Sequence, residues 1–117
     1  VLVYHSSMYE FDKPSIEMII KNISNHANGL LGLWFSTTNG WQKNFGTYTY
    51  EFEIPDDARA LEMDITDFVS MCNKTEDFLL LREEFLDNEY EVLNIRERTG
   101  KVEMGILLNL DVEMKRI

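Results

Sequence analysis

Gly32-Leu33-Trp34-Phe35-Ser36-Thr37, followed by Thr38-Asn39-Gly40-Trp41-Gln42-Lys43-Asn44-Phe45-Gly46, is the stretch whose reading decides the fold. Leu30 to Ser36 is an almost unbroken apolar run, the pattern of a strand covered on both faces and central in a sheet. A polar turn follows, then about one helical turn from Trp41 to Phe45, and Gly46 ends it. Such a unit presents aromatic rings at the mouth of a cleft.

Working outward towards the N-terminus, Val1-Leu2-Val3-Tyr4 is a β-branched and aromatic run that predicts a first strand, with His5-Ser6-Ser7 at its end. Met8 to Asp12 form a loop, and a helix opens around Asp12-Lys13-Pro14-Ser15, where proline is tolerated because its missing N–H lies in the first turn. Ile16, Ile19, Ile20, Ile23 and Ala27 make one apolar helical stripe, which Asn28-Gly29 ends.

Beyond Gly46 comes the clearest strand. Tyr48, Tyr50, Phe52 and Ile54 alternate with Thr47, Thr49, Glu51 and Glu53, so one face is buried and one is wet. Pro55-Asp56-Asp57 turns the chain into a short strand, Ala58 to Met63. Asp64 is placed as an N-cap with Asp67 in the first turn of a helix carrying Ile65, Phe68, Val69 and Cys72 on one side. Thr75 to Asn88 predicts a third helix with Phe78, Leu81 and Phe85 inward and Arg82, Glu83 and Glu84 outward. Tyr90 to Ile95 and Val102 to Leu110 pair as a hairpin across Arg98-Thr99-Gly100-Lys101, and Glu113 to Ile117 form an extended tail. The order β-α-β-α-β-β-α-α-β-β predicts an α+β domain of two small, mostly antiparallel sheets forming a cleft with flanking helices.

The chain has 117 residues, enough for one domain with a hydrophobic core and too few for two. Its 21 acidic against 11 basic residues give a net charge of −10, which argues against a protein that grips nucleic-acid phosphates. The excess acid reads as a solubilising surface, with imitation of a nucleic acid as the alternative use. Cys72, the single cysteine, cannot make an internal disulfide and reads as a small buried hydrophobe. No apolar run is long enough to span a membrane and no secretory leader is visible, so we expect a cytoplasmic protein. Val1 in place of an initiating methionine leaves a removed leader or a larger parent chain open. Asn22-Ile23-Ser24 and Asn73-Lys74-Thr75 fit the glycosylation sequon but carry little weight without a secretory context.

Metal chemistry has little to work with. Two histidines, His5 and His26, and one cysteine show no zinc-type spacing, and no calcium loop, phosphate loop or serine elbow is present. What stands out is a succession: Tyr4-His5-Ser6-Ser7, then Phe11, then Gly32-Leu33-Trp34-Phe35-Ser36-Thr37, then Asn44-Phe45-Gly46 and the strand to Ile54.

This succession resembles the ADP-ribosyltransferases of the His-Tyr-Glu branch, which includes diphtheria-toxin-like and poly(ADP-ribose) polymerase-like domains and small prophage-borne relatives. There a first strand ends in Tyr-His-Gly-Ser/Thr, a later strand carries Gly-x-Tyr-Phe-Ser/Thr, a helical turn closes with Ala-x-x-Tyr-Gly, and a late strand supplies a glutamate. The likeness covers the first 55 residues and the last 28 of the chain. It implies NAD as the substrate, transfer of ADP-ribose to an acceptor with release of nicotinamide, and a setting in a bacterial or phage-infected cell. It further implies that His5 hydrogen-bonds the adenosine ribose, that Ser6 and Ser7 lie along the ligand with the Ser6 backbone holding the nicotinamide amide, and that Trp34 stacks on nicotinamide. Phe45 would close the other side, Ser36 and Thr37 would support the site, and Glu103 would be the glutamate that stabilises an oxocarbenium-like transition state.

The sequence departs from this pattern in three places. Ser6 stands where glycine is usual, Trp34 and Phe45 lack phenolic hydroxyls, and an ungapped comparison places Met104, not Glu103, at the glutamate position. A one-residue slip turns a strand side chain to the other face, and a bulge near Gly105 would bring Glu103 back inward. Trp34, Phe35, Trp41 and Phe45 also fit as plain core aromatics, and Glu103 as a solvated hairpin acid. Lys13, Lys43 and Arg59 are the cations that would ring a cleft, or else scatter over the surface. The alternatives to an active transferase are a degenerate relative that binds a nucleotide or a protein segment, and an acidic nucleic-acid mimic.

Overall fold

The computed structural model describes residues 1–22 and 27–117. Its elements run β1 (Leu2–Ser7), α1 (Ile16–Asn22), a 3₁₀ turn (Ala27–Leu31), β2 (Leu33–Ser36), a second 3₁₀ turn (Trp41–Phe45), β3 (Tyr48–Glu53), β4 (Ala60–Asp64), α2 (Ile65–Lys74), α3 (Phe78–Asp87), β5 (Val92–Arg96), β6 (Val102–Leu107) and β7 (Lys115–Arg116). Ile23, Ser24 and His26, which the sequence places in the first helix and its sequon, lie outside the described residues.

The fold is α+β, but the strands join in one seven-stranded mixed sheet, in the order β4-β5-β6-β2-β1-β3-β7, instead of the two expected sheets. The reason is β2, which pairs with β6 on one side and β1 on the other. That join is narrow. β1 and β3 run in register from Leu2↔Glu53 to Ser7↔Tyr48, and β2 and β6 from Leu33↔Leu107 to Ser36↔Met104, whereas β1 and β2 share the pair Tyr4↔Ser36 and no other among the described residues. β4 and β5 are parallel and so need a crossover, which α2 and α3 supply.

Both faces of the sheet are covered, which is why β2 reads as a continuous apolar run. On one face Val3, Leu33, Phe35, Phe52, Val92 and Leu107 pack with Met18 and Ile19 of α1. On the other, Leu93, Ile95, Ile106 and Leu108 meet Leu31, Phe68 of α2 and Phe78 of α3. A Cβ on Gly105 would run into the Phe35 ring and the Leu93 carbonyl, so this glycine lets the fully buried Phe35 lie against β6. The helix caps are as the sequence reads them for α2, where the Asp64 carboxylate accepts from the Asp67 amide at 2.8 Å.

Three local expectations are corrected. Leu30 and Leu31 belong to the 3₁₀ turn and not to β2. Arg82 is buried, not outward, because its Nη1 donates to the Leu31 carbonyl at 3.0 Å and so satisfies the end of that turn. In α1 the residues turned to the sheet are Met18 and Ile19, which leaves Ile20 47% exposed.

The second 3₁₀ turn is pressed onto the end of β1. A Cβ at Gly46 would overlap the backbone of Ser7 and Met8, while one at Gly40 meets open space. Gly46→Ala is therefore expected to lower stability by about 1–3 kcal/mol, the usual cost of overpacking against backbone. Gly40→Ala should stay within about 0.5 kcal/mol of the native chain in urea unfolding. Equal effects of the two substitutions would contradict this close approach.

Candidate functional site

Past Tyr4↔Ser36 the strands β1 and β2 part, and a cavity of about 770 Å³ opens between them. His5 and Ser6 of β1 form one wall, and Gly32, Leu33 and Trp34 the other. Met18 and Ile19 of α1 contribute apolar surface, and Trp41, Gln42, Asn44 and Phe45 come from the second 3₁₀ turn. The β5–β6 hairpin adds Glu97, Glu103 and Met104. The volume is within the range of about 300–1,000 Å³ usual for small-molecule sites.

His5 spans the parting. Its Nδ1 lies 2.6 Å from the Trp34 carbonyl oxygen, which can only accept, so Nδ1 carries the proton and Nε2 the lone pair. Nε2 is buried and, among the described residues, has no hydrogen-bond partner. Phe11 meets the imidazole edge-on at 6.2 Å and itself stacks on Tyr50 at 4.2 Å. Burial outweighs the bond to Trp34 and lowers the ring's pKa from 6.5 to about 4, so His5 is neutral at pH 7.

Trp34 is half-buried. Its ring meets Phe68 edge-on at 5.6 Å, and its Nε1–H donates to the Asn28 carbonyl at 3.3 Å, which fixes the indole plane. Phe45 is 55% exposed and packs edge-on with Trp41 at 5.6 Å. Of the four aromatics that fit equally as core, only Phe35 is fully buried.

The other expected site residues have structural partners. Ser6 lines the cavity, with its hydroxyl 3.0 Å from that of Thr49. Ser7 is buried beside it, and its hydroxyl accepts from the Tyr9 amide at 3.1 Å. Ser36 and Thr37 do not line the cavity but hold its walls. The Ser36 hydroxyl lies 2.7 Å from Oε1 of Gln42, and Gln42 in turn accepts from the Gly40 amide at 2.7 Å and donates to Asn39 at 2.6 Å. Gln42 is thus a buried clamp on the 39–45 turn; a glutamine in a polar stretch gives no sequence signal of burial. The Thr37 amide donates to the Glu103 carbonyl at 3.0 Å, and its hydroxyl to that of Val102 at 3.3 Å.

That anchor lies at an irregularity. Ile95 pairs with Met104 but Arg96 pairs with Val102, so Glu103 has no residue of β5 opposite it. A bulge of this kind breaks the strict alternation of side chains. Glu103 and Met104 both line the cavity, and the irregularity falls at Glu103, two residues before Gly105.

The cations are not where a cleft ringed by Lys13, Lys43 and Arg59 requires them. Lys13 is paired with Asp111 at 2.6 Å, Arg59 lies over Tyr90 at 4.8 Å, and no lysine or arginine is among the lining residues. No group of side chains among the described residues is placed to hold a metal ion, and no helix among them is long and apolar enough to cross a membrane. No protein-family model, curated protein or solved structure matches this chain.

The buried neutral histidine has a pH signature. Between pH 6.5 and about 4 the unfolded chain takes up a proton that native His5 refuses, so this contribution is present above pH 6.5 and is lost as pH falls through the window. Relative to His5→Gln, the native chain should lose roughly 3 kcal/mol in urea unfolding between pH 7 and pH 4. Identical pH dependence in both would contradict a buried, neutral ring.

Proposed function

We propose that this is an NAD-consuming, ADP-ribosyltransferase-like domain whose cavity binds NAD and releases nicotinamide. The observation that carries the reading is that His5, whose buried Nε2 has no hydrogen-bond partner among the described residues, lines one cavity with Trp34 and Glu103. An unused acceptor in an apolar site calls for a donor, and a ribose hydroxyl is one. The strands that bear the three motifs, β1, β2 and β6, are neighbours in the sheet, as a site shared by the motifs requires.

In this reading the oriented Trp34 indole offers its π-face to the nicotinamide ring, which is cationic before cleavage. As the bond between ribose C1′ and the nicotinamide nitrogen lengthens, positive charge develops on the sugar. The Glu103 carboxylate, set by the bulge and by Thr37, stabilises it. Nicotinamide leaves neutral with the electron pair of the broken bond. The uncharged His5 accepts a hydroxyl without repelling the cation. With no cation among the described residues that line the cavity, the pyrophosphate faces solvent.

NAD at micromolar to millimolar concentration should quench tryptophan fluorescence, and His5→Ala should abolish the effect. Nicotinamide release should fall about 100-fold or more in Glu103→Gln, the scale of losing one transition-state contact. It should persist in Glu83→Gln, a substitution on the exposed face of α3. Fluorescence unchanged by NAD, or equal release by both variants, would overturn the reading.

A further inference from the structure

The lone pair on His5 is closed off from solvent. Nε2 has essentially no accessible surface and, among the described residues, no hydrogen-bond partner, so a donor can pair with it only if a neighbour moves. The imidazole meets the Trp34 carbonyl at Nδ1, Tyr50 as its cross-strand partner, and the Phe11 ring edge-on at 6.2 Å. Trp34 and Tyr50 sit in β2 and β3, whose registers with β6 and β1 run without a shift. Phe11 lies between β1 and α1, in a stretch with neither helix nor strand. It is the neighbour most easily displaced.

The contacts that hold this stretch can be released without breaking the sheet. The Phe11 amide donates to the Tyr50 hydroxyl at 2.9 Å, and its ring stacks on the Tyr50 ring at 4.2 Å. On either side an exposed ion pair ties the stretch to the C-terminal segment, Glu10 to Arg116 at 2.7 Å and Lys13 to Asp111 at 2.6 Å. Each exposed pair stabilises little, and salt screens it. Met8, at the start of the stretch, lines the cavity, so a shift of these residues also alters the cavity's edge.

We infer that residues 8–13 form a gate: Phe11 covers the His5 imidazole, the Tyr50 hydroxyl latches it, and the two ion pairs are a salt-sensitive strap. With the gate closed, as here, Nε2 is kept from donors. Release of the Phe11 amide carries the ring off the imidazole and admits one. The gate itself requires no particular donor; where it rests on the NAD reading, the donor is the ribose hydroxyl and opening precedes binding.

Diethyl pyrocarbonate acylates the lone pair of a neutral imidazole, so its reaction with His5 reports the open state. The reagent is applied to the full chain at neutral pH without NAD, and modification of His5 is read by peptide mass. Tyr50→Phe keeps the ring and removes the latch, and His5 should then react about threefold or more faster than in the native chain. Phe11→Ala should raise the rate about tenfold or more. Asp111→Asn and added salt should each give a smaller rise, within about fivefold. Ile95→Val weakens the buried core at β5 without touching the stretch and should leave the rate unchanged. A Tyr50→Phe rate no faster than native, or an equal rise in Ile95→Val, overturns the gate. Nicotinamide release bears on the NAD reading alone: release without a gate sinks this inference and spares that reading, whereas a gate without release does the reverse.

Discussion

The structure depends on one bond, from His5 Nδ1–H to the Trp34 carbonyl, 2.6 Å long, across the parting of β1 and β2. Two adjacent strands would ordinarily close this gap with backbone hydrogen bonds. Here an imidazole stands in the ladder, so the sheet stays continuous through Tyr4↔Ser36 yet opens beyond it. The same bond fixes the tautomer and leaves a lone pair on Nε2. A neutral acceptor is thereby held in an apolar place, where leaving it unpaired costs free energy that a ligand can recover.

The walls of the opening are set largely by backbone. Ser36 and Gln42 lock the turn that carries Trp41 and Phe45, and Gly46 permits that turn to lie against the end of β1. On the far side Thr37 grips the carbonyls of Val102 and Glu103 at the bulge. Rigid strands thus place the aromatic and acidic side chains, and the exposed Phe45 is left as a loosely held member of the site. A cavity at a parting of strands is economical in residues, because each wall is one strand deep.

Much of this is legible from residue pattern. The alternation from Tyr48 to Ile54 places Tyr50 and Phe52 in the core, the apolar run marks β2 as central, and Asp64 caps α2 as its type and position suggest. What escapes the pattern is polar burial and strand partnership. Arg82 and Gln42 look like surface residues because nothing local reveals the carbonyl or hydroxyl that satisfies them. The joining of all strands in one sheet depends on β2 finding two neighbours distant in sequence. The bulge at Glu103 is the sharpest case. Gly105 hints at an irregularity, but the skipped residue is set by cross-strand register, which periodicity cannot show.

The cavity then unites groups of complementary purpose: an uncharged acceptor, oriented π-faces and two carboxylates. That combination suits a substrate that is cationic at its reacting end and rich in hydroxyls, as NAD is. The most direct test is the ¹⁵N chemical shift of the His5 ring nitrogens as NAD is added at neutral pH. The account predicts that Nδ1 stays protonated throughout while the Nε2 resonance moves upfield, as a nitrogen lone pair does on accepting a hydrogen bond. An Nε2 resonance that does not move at NAD saturation, or a proton found on Nε2 in the free protein, would contradict it.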